Sequence, residues 1–186
     1  KLKSYVSVIL NLSTDHLERH ESLKKYYSTK LKIFDNAKYK IINNNLEYSK
    51  KDITFDVKNN SIYVNNSSIK NLTFKNYNFI SYKDEKYKIN GKHEAYNLSA
   101  CIAVLSILGL SLDEIIYGFS KRSHLSHRLE RFCTYDGVTY INDSKSTNSD
   151  STLNALESVG ENIVLIMGGD NKKISYNALK NIINNK

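Results

Sequence analysis

Between residues 38 and 88 apolar and polar side chains alternate in short pieces, among them Ile53-Thr54-Phe55-Asp56-Val57 and Ser61-Ile62-Tyr63-Val64. A period of two places successive side chains on opposite faces of a strand, so this stretch reads as strand and not helix. Asn-rich clusters divide the pieces and mark turns. The expectation is an antiparallel sheet edge or a set of hairpins, with loops where the composition is simplest, as at Ile42-Asn43-Asn44-Asn45.

The flanking sequence has other periods. Residues 5–10, Tyr-Val-Ser-Val-Ile-Leu, are rich in β-branched side chains and read as a buried strand, followed by the polar run Ser13-Thr14-Asp15-His16. From 23 to 34 a helical spacing sets Leu23, Tyr27, Leu31 and Phe34 on one face. Residues 94–108 predict a helix buried on several sides, with Gly91 before it and Gly109 as its stop. Ser111 with Glu114 three residues on is a capping-box pattern for a helix over 112–119. Asp136-Gly137 between residues 129–135 and 138–142 is a strong hairpin signal. A helix over 149–158, a buried strand over 163–167 and a helix over 176–183 then imply a parallel α/β sheet. That second unit begins near residue 125 and is short for a doubly wound domain, which usually needs on the order of 100 residues.

Composition narrows the function classes. The 27 Lys and Arg exceed the 19 Asp and Glu, a net charge of +8, which suits an anionic partner such as nucleotide, phosphate or nucleic acid and equally a merely soluble surface. A basic nucleic-acid-binding module, stacking bases on some of the 14 Tyr, is the alternative from a different class. No element concentrates Arg and aromatics on one face and no such binding motif occurs, so no nucleic-acid partner is expected. No apolar run reaches the roughly 18 residues of a membrane span, and there is no signal-peptide pattern. Cys101 and Cys133 lack CxxC or His-rich spacing, so two buried thiols in a reducing cytoplasm are expected. The chain starts at Lys1 just before a strand, and is expected to be an internal piece of a longer protein.

Ile141-Asn142-Asp143-Ser144-Lys145-Ser146-Thr147-Asn148 places an acid, a base, hydroxyls and an amide between a strand and a helix, where ligands sit in open α/β sheets. Two readings of it stand side by side. Asn148 or Ser149 can simply cap the helix, Asp143 hold a turn and Lys145 face solvent; or the loop binds a ligand.

This run resembles the Asn-Asp-Ser-Lys-Ala-Thr-Asn signature of the D-glutamate-adding branch of the Mur ligase family, with Ser146 where Ala is usual. Five further motifs follow the family's order. Asn11-Leu12-Ser13-Thr14-Asp15-His16-Leu17-Glu18-Arg19-His20 resembles its Asn-Leu-Ser/Thr-x-Asp-His-Leu-Asp-x-His stretch, and Tyr27-Ser28-Thr29-Lys30-Leu31-Lys32-Ile33-Phe34 its Ala-Ala-Lys helix. His93-Glu94-Ala95-Tyr96-Asn97 is similar to His-Asn-x-x-Asn, with Glu94 departing from the pattern. His127-Arg128-Leu129-Glu130 resembles the start of the C-terminal domain, and Gly168-Gly169-Asp170-Asn171-Lys172 a Gly-Gly-x-x-Lys substrate loop. Residues 38–88 carry no part of the match.

The resemblance implies an α/β protein: the rear part of a central ATPase domain, with a parallel sheet plus a small antiparallel region, over 1–124, then the start of a Rossmann-like C-terminal domain over 125–186. It implies an ATP-dependent ligase of peptidoglycan precursor synthesis that joins D-glutamate to UDP-N-acetylmuramoyl-L-alanine through an acyl phosphate. ATP and Mg²⁺ would be required, and the full-length enzyme would be a cytoplasmic monomer with no membrane partner. The Gly-x-x-Gly-Lys-Thr/Ser phosphate loop and the UDP-binding domain are expected upstream, so this piece alone is expected to be inactive. Another Mur-type ligase or a folylpolyglutamate synthase would share the architecture, but Asp143-Ser144-Lys145 with Thr147-Asn148 argues against both.

By the same resemblance His16 and Lys30 would be catalytic and hold Mg²⁺, His16 through an imidazole nitrogen and Lys30 as a carbamate, a carboxylate on a long arm. Asn97 would read the adenine edge with its donor and acceptor. Arg128 would face the ATP phosphates, Asp143 contact the ribose or orient that network, and Lys145 neutralise the γ-phosphate as it transfers. Thr147 and Lys172 would lie near the incoming D-glutamate.

Overall fold

The structure, a computed structural model, describes residues 3–13, 20–75, 77–123, 125–169 and 176–184. The chain forms two compact units, Lys1–Lys121 and Arg122–Lys186. The first is built on one seven-stranded sheet: β1 (Val6–Ile9), β2 (Tyr39–Asn43), β3 (Ile53–Lys58), β4 (Ser61–Val64), β5 (Ser67–Lys75), β6 (Phe79–Tyr82) and β7 (Glu85–Lys88), in that spatial order. β1 and β2 pair in parallel, as do β2 and β3; every later pairing is antiparallel. Both sheet components implied by the resemblance are present, the antiparallel one larger than implied.

The Asn-rich clusters do what their chemistry allows. Asn59 and Asn60 (φ 50° and 56°) join β3 to β4, and Asn65 and Asn66 (φ 51° and 63°) join β4 to β5. Two successive residues at positive φ match the strand twist in a two-residue hairpin, and Asn tolerates that region better than other non-Gly residues. The expectation of hairpins fails at β2. Its neighbours on both sides are parallel, and Ile42 and Asn43, expected in a loop, belong to the strand. The reason is burial on two faces: Ile41 packs with Phe55, Ala100 and Ala103, while Ile42 packs with Ile9 and Phe34.

α1 (Leu23–Leu31) ends in a single 3-10 turn (Lys32–Phe34) and returns the chain from β1 to β2. Phe34 in the turn is buried and Leu31 packs against its cluster, as expected, whereas Leu23 is exposed and the buried ring of α1 is Tyr26 in place of Tyr27. α2 (Lys92–Ile107) and α3 (Leu112–Ser120) cover the antiparallel strands, with Leu98, Ile102, Ile115 and Ile116 meeting Ile62, Leu72 and Ile80. Small residues at Ala95, Ala100 and Ala103 let α2 approach the sheet closely. The expected stop is present, Gly109 at φ 88° just after the helix, and so is the capping box of Ser111 and Glu114.

In the second unit β8 (Glu130–Tyr135) and β9 (Val138–Asn142) form the expected hairpin across Asp136 and Gly137 (φ 47° and 75°). α4 (Ser149–Ser158) and α5 (Asn177–Asn184) lie against each other and bury Leu156 and Leu179. Two expectations are overturned here. Residues 163–167 are not a buried strand: the segment joins no ladder, with Val164 88% and Ile166 92% exposed. The only sheet among the described residues of this unit is the antiparallel hairpin, so the parallel sheet is absent from them. An apolar run acquires strand pairing only where a neighbouring strand offers its ladder, which sequence periodicity does not report.

Both cysteines are exposed and not buried. Cys101 faces away from the sheet while Ile102 and Ala103 beside it face in, and Cys133 lies on a hairpin with exposed side chains throughout its own strand from Arg131. No described helix is long and apolar enough to cross a membrane.

Candidate functional site

The parallel strands end at a polar corner. The buried Asn43 side chain donates to the Leu10 carbonyl (3.3 Å) and accepts from the Asn45 backbone N–H (3.0 Å), tying the ends of β1 and β2 together. The Asn45 amide in turn donates to the Tyr96 hydroxyl of α2 (3.2 Å). Tyr96 shares its own proton between Asp56 Oδ1 and the Val57 carbonyl, both at 3.3 Å. Burial, then the Asp56 charge, pushes the Tyr96 phenol above its ordinary range. Asn97 follows Tyr96 and is exposed on the early turns of α2, and Lys92 reaches over the rings of Tyr77 and Tyr96.

α1 is bound to the same end of the sheet, since the Tyr27 hydroxyl donates to the Leu12 carbonyl (3.2 Å) just beyond β1. Lys30, half-buried, places Nζ 4.6 Å from the centroid of the buried Tyr26 ring, which also neighbours the rings of His20 at 5.0 Å and Tyr27 at 6.0 Å. His16 lies outside the described residues, as does Lys172.

In the second unit the residues 127–130 and 142–146 are laced together by hydrogen bonds. Asp143 Oδ1 accepts the Leu129 N–H (3.0 Å), and its Oδ2 accepts the Ser146 hydroxyl. The Lys145 N–H donates to the His127 carbonyl (3.1 Å). Asn142 accepts from Ser144 N–H through Oδ1 (3.1 Å), which leaves its Nδ2 to donate to His127 Nδ1 at 2.8 Å; the ring proton then sits on Nε2. Glu130 accepts the His127 N–H (2.7 Å). Asn148, and not Ser149, caps α4: its side chain accepts from Ser151 N–H at 2.9 Å.

With those groups occupied, Arg128, Lys145 and Thr147 are exposed and make no side-chain bond to another described residue. In the loop Asn148 caps α4, Asp143 holds the turn and Lys145 faces solvent, as the first of the two readings has it. The structure thus brings together Arg128, Asp143 and Lys145, with Thr147 at the entrance to α4. Lys30, on α1, and Asn97, on α2, belong to the first unit. His127, Glu130 and Asn142 belong to the constellation although sequence reasoning gave them no role. Their signal was the polar His-Arg-Leu-Glu run itself, but the backbone turn that links it to the later loop has no signature in composition. Among the described residues no group of three His, Cys, Asp or Glu is arranged to hold a metal ion.

Comparison with known proteins gives a consistent result. Residues 1–105 match the model of the Mur ligase middle domain. The chain is 30% identical to the UDP-N-acetylmuramoylalanine--D-glutamate ligase of Haemophilus ducreyi, over 98% of the chain and 43% of that protein. It is 34% identical to the ligase of the same name from Buchnera aphidicola subsp. Baizongia pistaciae, over 99% of the chain and 44% of the relative. The chain therefore spans less than half the length of these curated relatives. Among solved structures, MurF of Acinetobacter baumannii superposes with a TM-score of 0.63 at 16% identity, covering 84% of this chain and 37% of that one. The UDP-N-acetylmuramate-alanine ligase MurC of Thermotoga maritima superposes with a TM-score of 0.61 at 22% identity, covering 84% and 38%. These two likenesses establish the fold.

Proposed function

The chain belongs to the Mur ligase family, and from that premise we propose that it is part of an ATP-dependent ligase that joins D-glutamate to UDP-N-acetylmuramoyl-L-alanine in peptidoglycan precursor synthesis. The observation that carries this reading is the Asn142–Asn148 loop. It presents Lys145 and Thr147 beside Arg128 on a framework fixed by Asp143, in a chain aligned almost end to end with ligases named for D-glutamate. Residues 1–124 belong, on this reading, to the central ATP-binding domain and 125–186 to the start of the C-terminal one.

The chemistry follows from charge. A carboxylate oxygen of the UDP-linked substrate attacks the γ-phosphorus of ATP, the bond to the bridging oxygen breaks, and ADP leaves. The amine of D-glutamate then attacks the acyl phosphate carbonyl, loses a proton, and phosphate departs as the amide forms. Both steps concentrate negative charge on phosphoryl oxygens, which exposed Arg128 and Lys145 neutralise. No side-chain nucleophile is required, so positioning dominates. Asn97 binds the adenine edge, and Thr147 and Lys172 the incoming amino acid.

Mg²⁺ binds through one or two carboxylates plus phosphate oxygens and waters, without a dedicated protein cage. Lys30 as a carbamate would supply one such carboxylate and His16 a nitrogen ligand. The ion would screen the phosphoryl charge. ATP and a nucleotide-linked substrate put the reaction in the cytoplasm, and the full-length enzyme acts as a monomer.

The test is phosphate release by the full-length protein given ATP, Mg²⁺ and UDP-N-acetylmuramoyl-L-alanine. Release that depends on D-glutamate and not on L-glutamate, L-lysine or glycine supports the reading; release with another of these amino acids, or with none, overturns it. The isolated chain is expected to release none.

A further inference from the structure

The turn that carries Arg128 is held in a conformation its own side chains disfavour. His127 (φ 66°) and Leu129 (φ 45°) both occupy the left-handed region, although neither is glycine and Leu129 is bulky. Such a backbone persists only where its surroundings fix it. Here the three consecutive N–H groups of the turn are all engaged. His127 N–H donates to Glu130 Oε2 (2.7 Å), Arg128 N–H to the Leu125 carbonyl (3.3 Å), and Leu129 N–H to Asp143 Oδ1 (3.0 Å). The His127 carbonyl and ring are held as well, by Lys145 N–H and Asn142.

We propose that Glu130 is a positioning residue for ATP binding: its carboxylate and that of Asp143 clamp the N–H groups on either side of Arg128, fixing the direction in which the guanidinium leaves the turn. The inference rests on the ligase reading above and adds to it a residue that does not touch the nucleotide. Glu130 Oε2 is 3.6 Å from His127 Nδ1, too long for a hydrogen bond, so its short contact is the one to the backbone. A carboxylate oxygen accepts the His127 N–H well, and an amide oxygen in the same place would still accept it, more weakly. Without it the turn relaxes at His127, and an exposed arginine on a mobile turn must be ordered anew each time the phosphates bind.

The experiment compares Glu130→Gln and Glu130→Ala with the unaltered full-length enzyme, reading kcat, the KM for ATP, the KM for D-glutamate, and Tm. The alanine variant should raise the KM for ATP about tenfold or more, the scale of one charged hydrogen bond, while the KM for D-glutamate stays within about twofold. The glutamine variant keeps an acceptor oxygen and should restore most of the loss. Three results would overturn the proposal: an alanine variant equal to the parent; a glutamine variant as impaired as alanine, which would make the charge and not the backbone bond the cause; or a rise in both KM values with a fall in Tm, which marks a general structural role. If the parent enzyme shows no D-glutamate-dependent turnover, the ligase reading fails, and displacement of a fluorescent ATP analogue from the same variants still decides the clamp.

Discussion

Asp143 and Leu129 are fourteen positions apart in sequence and are joined by one hydrogen bond of 3.0 Å from backbone to carboxylate. Through it the loop after β9 fixes the turn before β8. Asp143→Ala removes the acceptors for Leu129 N–H and the Ser146 hydroxyl together. Leaving such groups without partners costs about 1–3 kcal/mol where they are shielded from water. The variant should unfold at lower denaturant and bind ATP more weakly, whereas Asp143→Asn should lose less of both. Denaturant titration with ATP KM measurement checks this.

Lys30 gives a second prediction. If it acts as a carbamate, activity of the full-length enzyme should fall when dissolved carbon dioxide is removed at mildly alkaline pH and return when bicarbonate is added. Lys30→Arg should be inactive under both conditions, because a guanidinium carries positive charge in place of the carboxylate. Activity unaffected by bicarbonate would rule out the modification.

The acid limb of stability has a structural origin at the start of α3. Lys83, then Tyr82, donate to Asp113 and hold its carboxyl below the usual carboxylate range; the Ser111 side chain and then its backbone N–H do the same for Glu114. The folded state thus prefers the ionised forms. Its advantage is complete above the ordinary carboxylate pKa of about 4 and is lost as pH falls through the lower folded values. Both groups are exposed, so the effect is modest. The double variant Asp113→Asn, Glu114→Gln should show a shallower decline of Tm between about pH 5 and pH 2 than the parent.

The Asn-Asn turns predict opposite outcomes at one position. Asn66 sits at φ 63°, so Asn66→Gly should be neutral or stabilising and Asn66→Val destabilising by about 1–2 kcal/mol, since β-branched residues resist the left-handed region. Thermal unfolding of the chain measures both.

What could be read from the sequence follows physical range. Caps and tight turns are local, and Ser111 with Glu114, Gly109 and Asp136-Gly137 all behave as their chemistry requires. The direction of β2 was not legible, because a parallel neighbour is supplied by a return through α1 and leaves no mark on the strand's own residues. Tyr26 was missed because one residue of rotation exchanges it with Tyr27, and both are amphipathic rings. In the site, the motif residues Arg128, Asp143 and Lys145 were identified by resemblance. Glu130 and Asn142 act by holding backbone and ring atoms of a distant segment, a role that only coordinates reveal.

The extended residues 163–167 have a consequence for handling the protein. Val164 and Ile166 are exposed on a segment that joins no ladder among the described residues, which leaves its edge open to a strand that arrives. Apolar, uncharged and free of proline, Ile163-Val164-Leu165-Ile166-Met167 has the composition that nucleates edge-to-edge association. Expressed as this chain, the protein is expected to self-associate through this segment as its concentration rises. A charge placed at Val164 should raise its working concentration without altering the first unit's sheet.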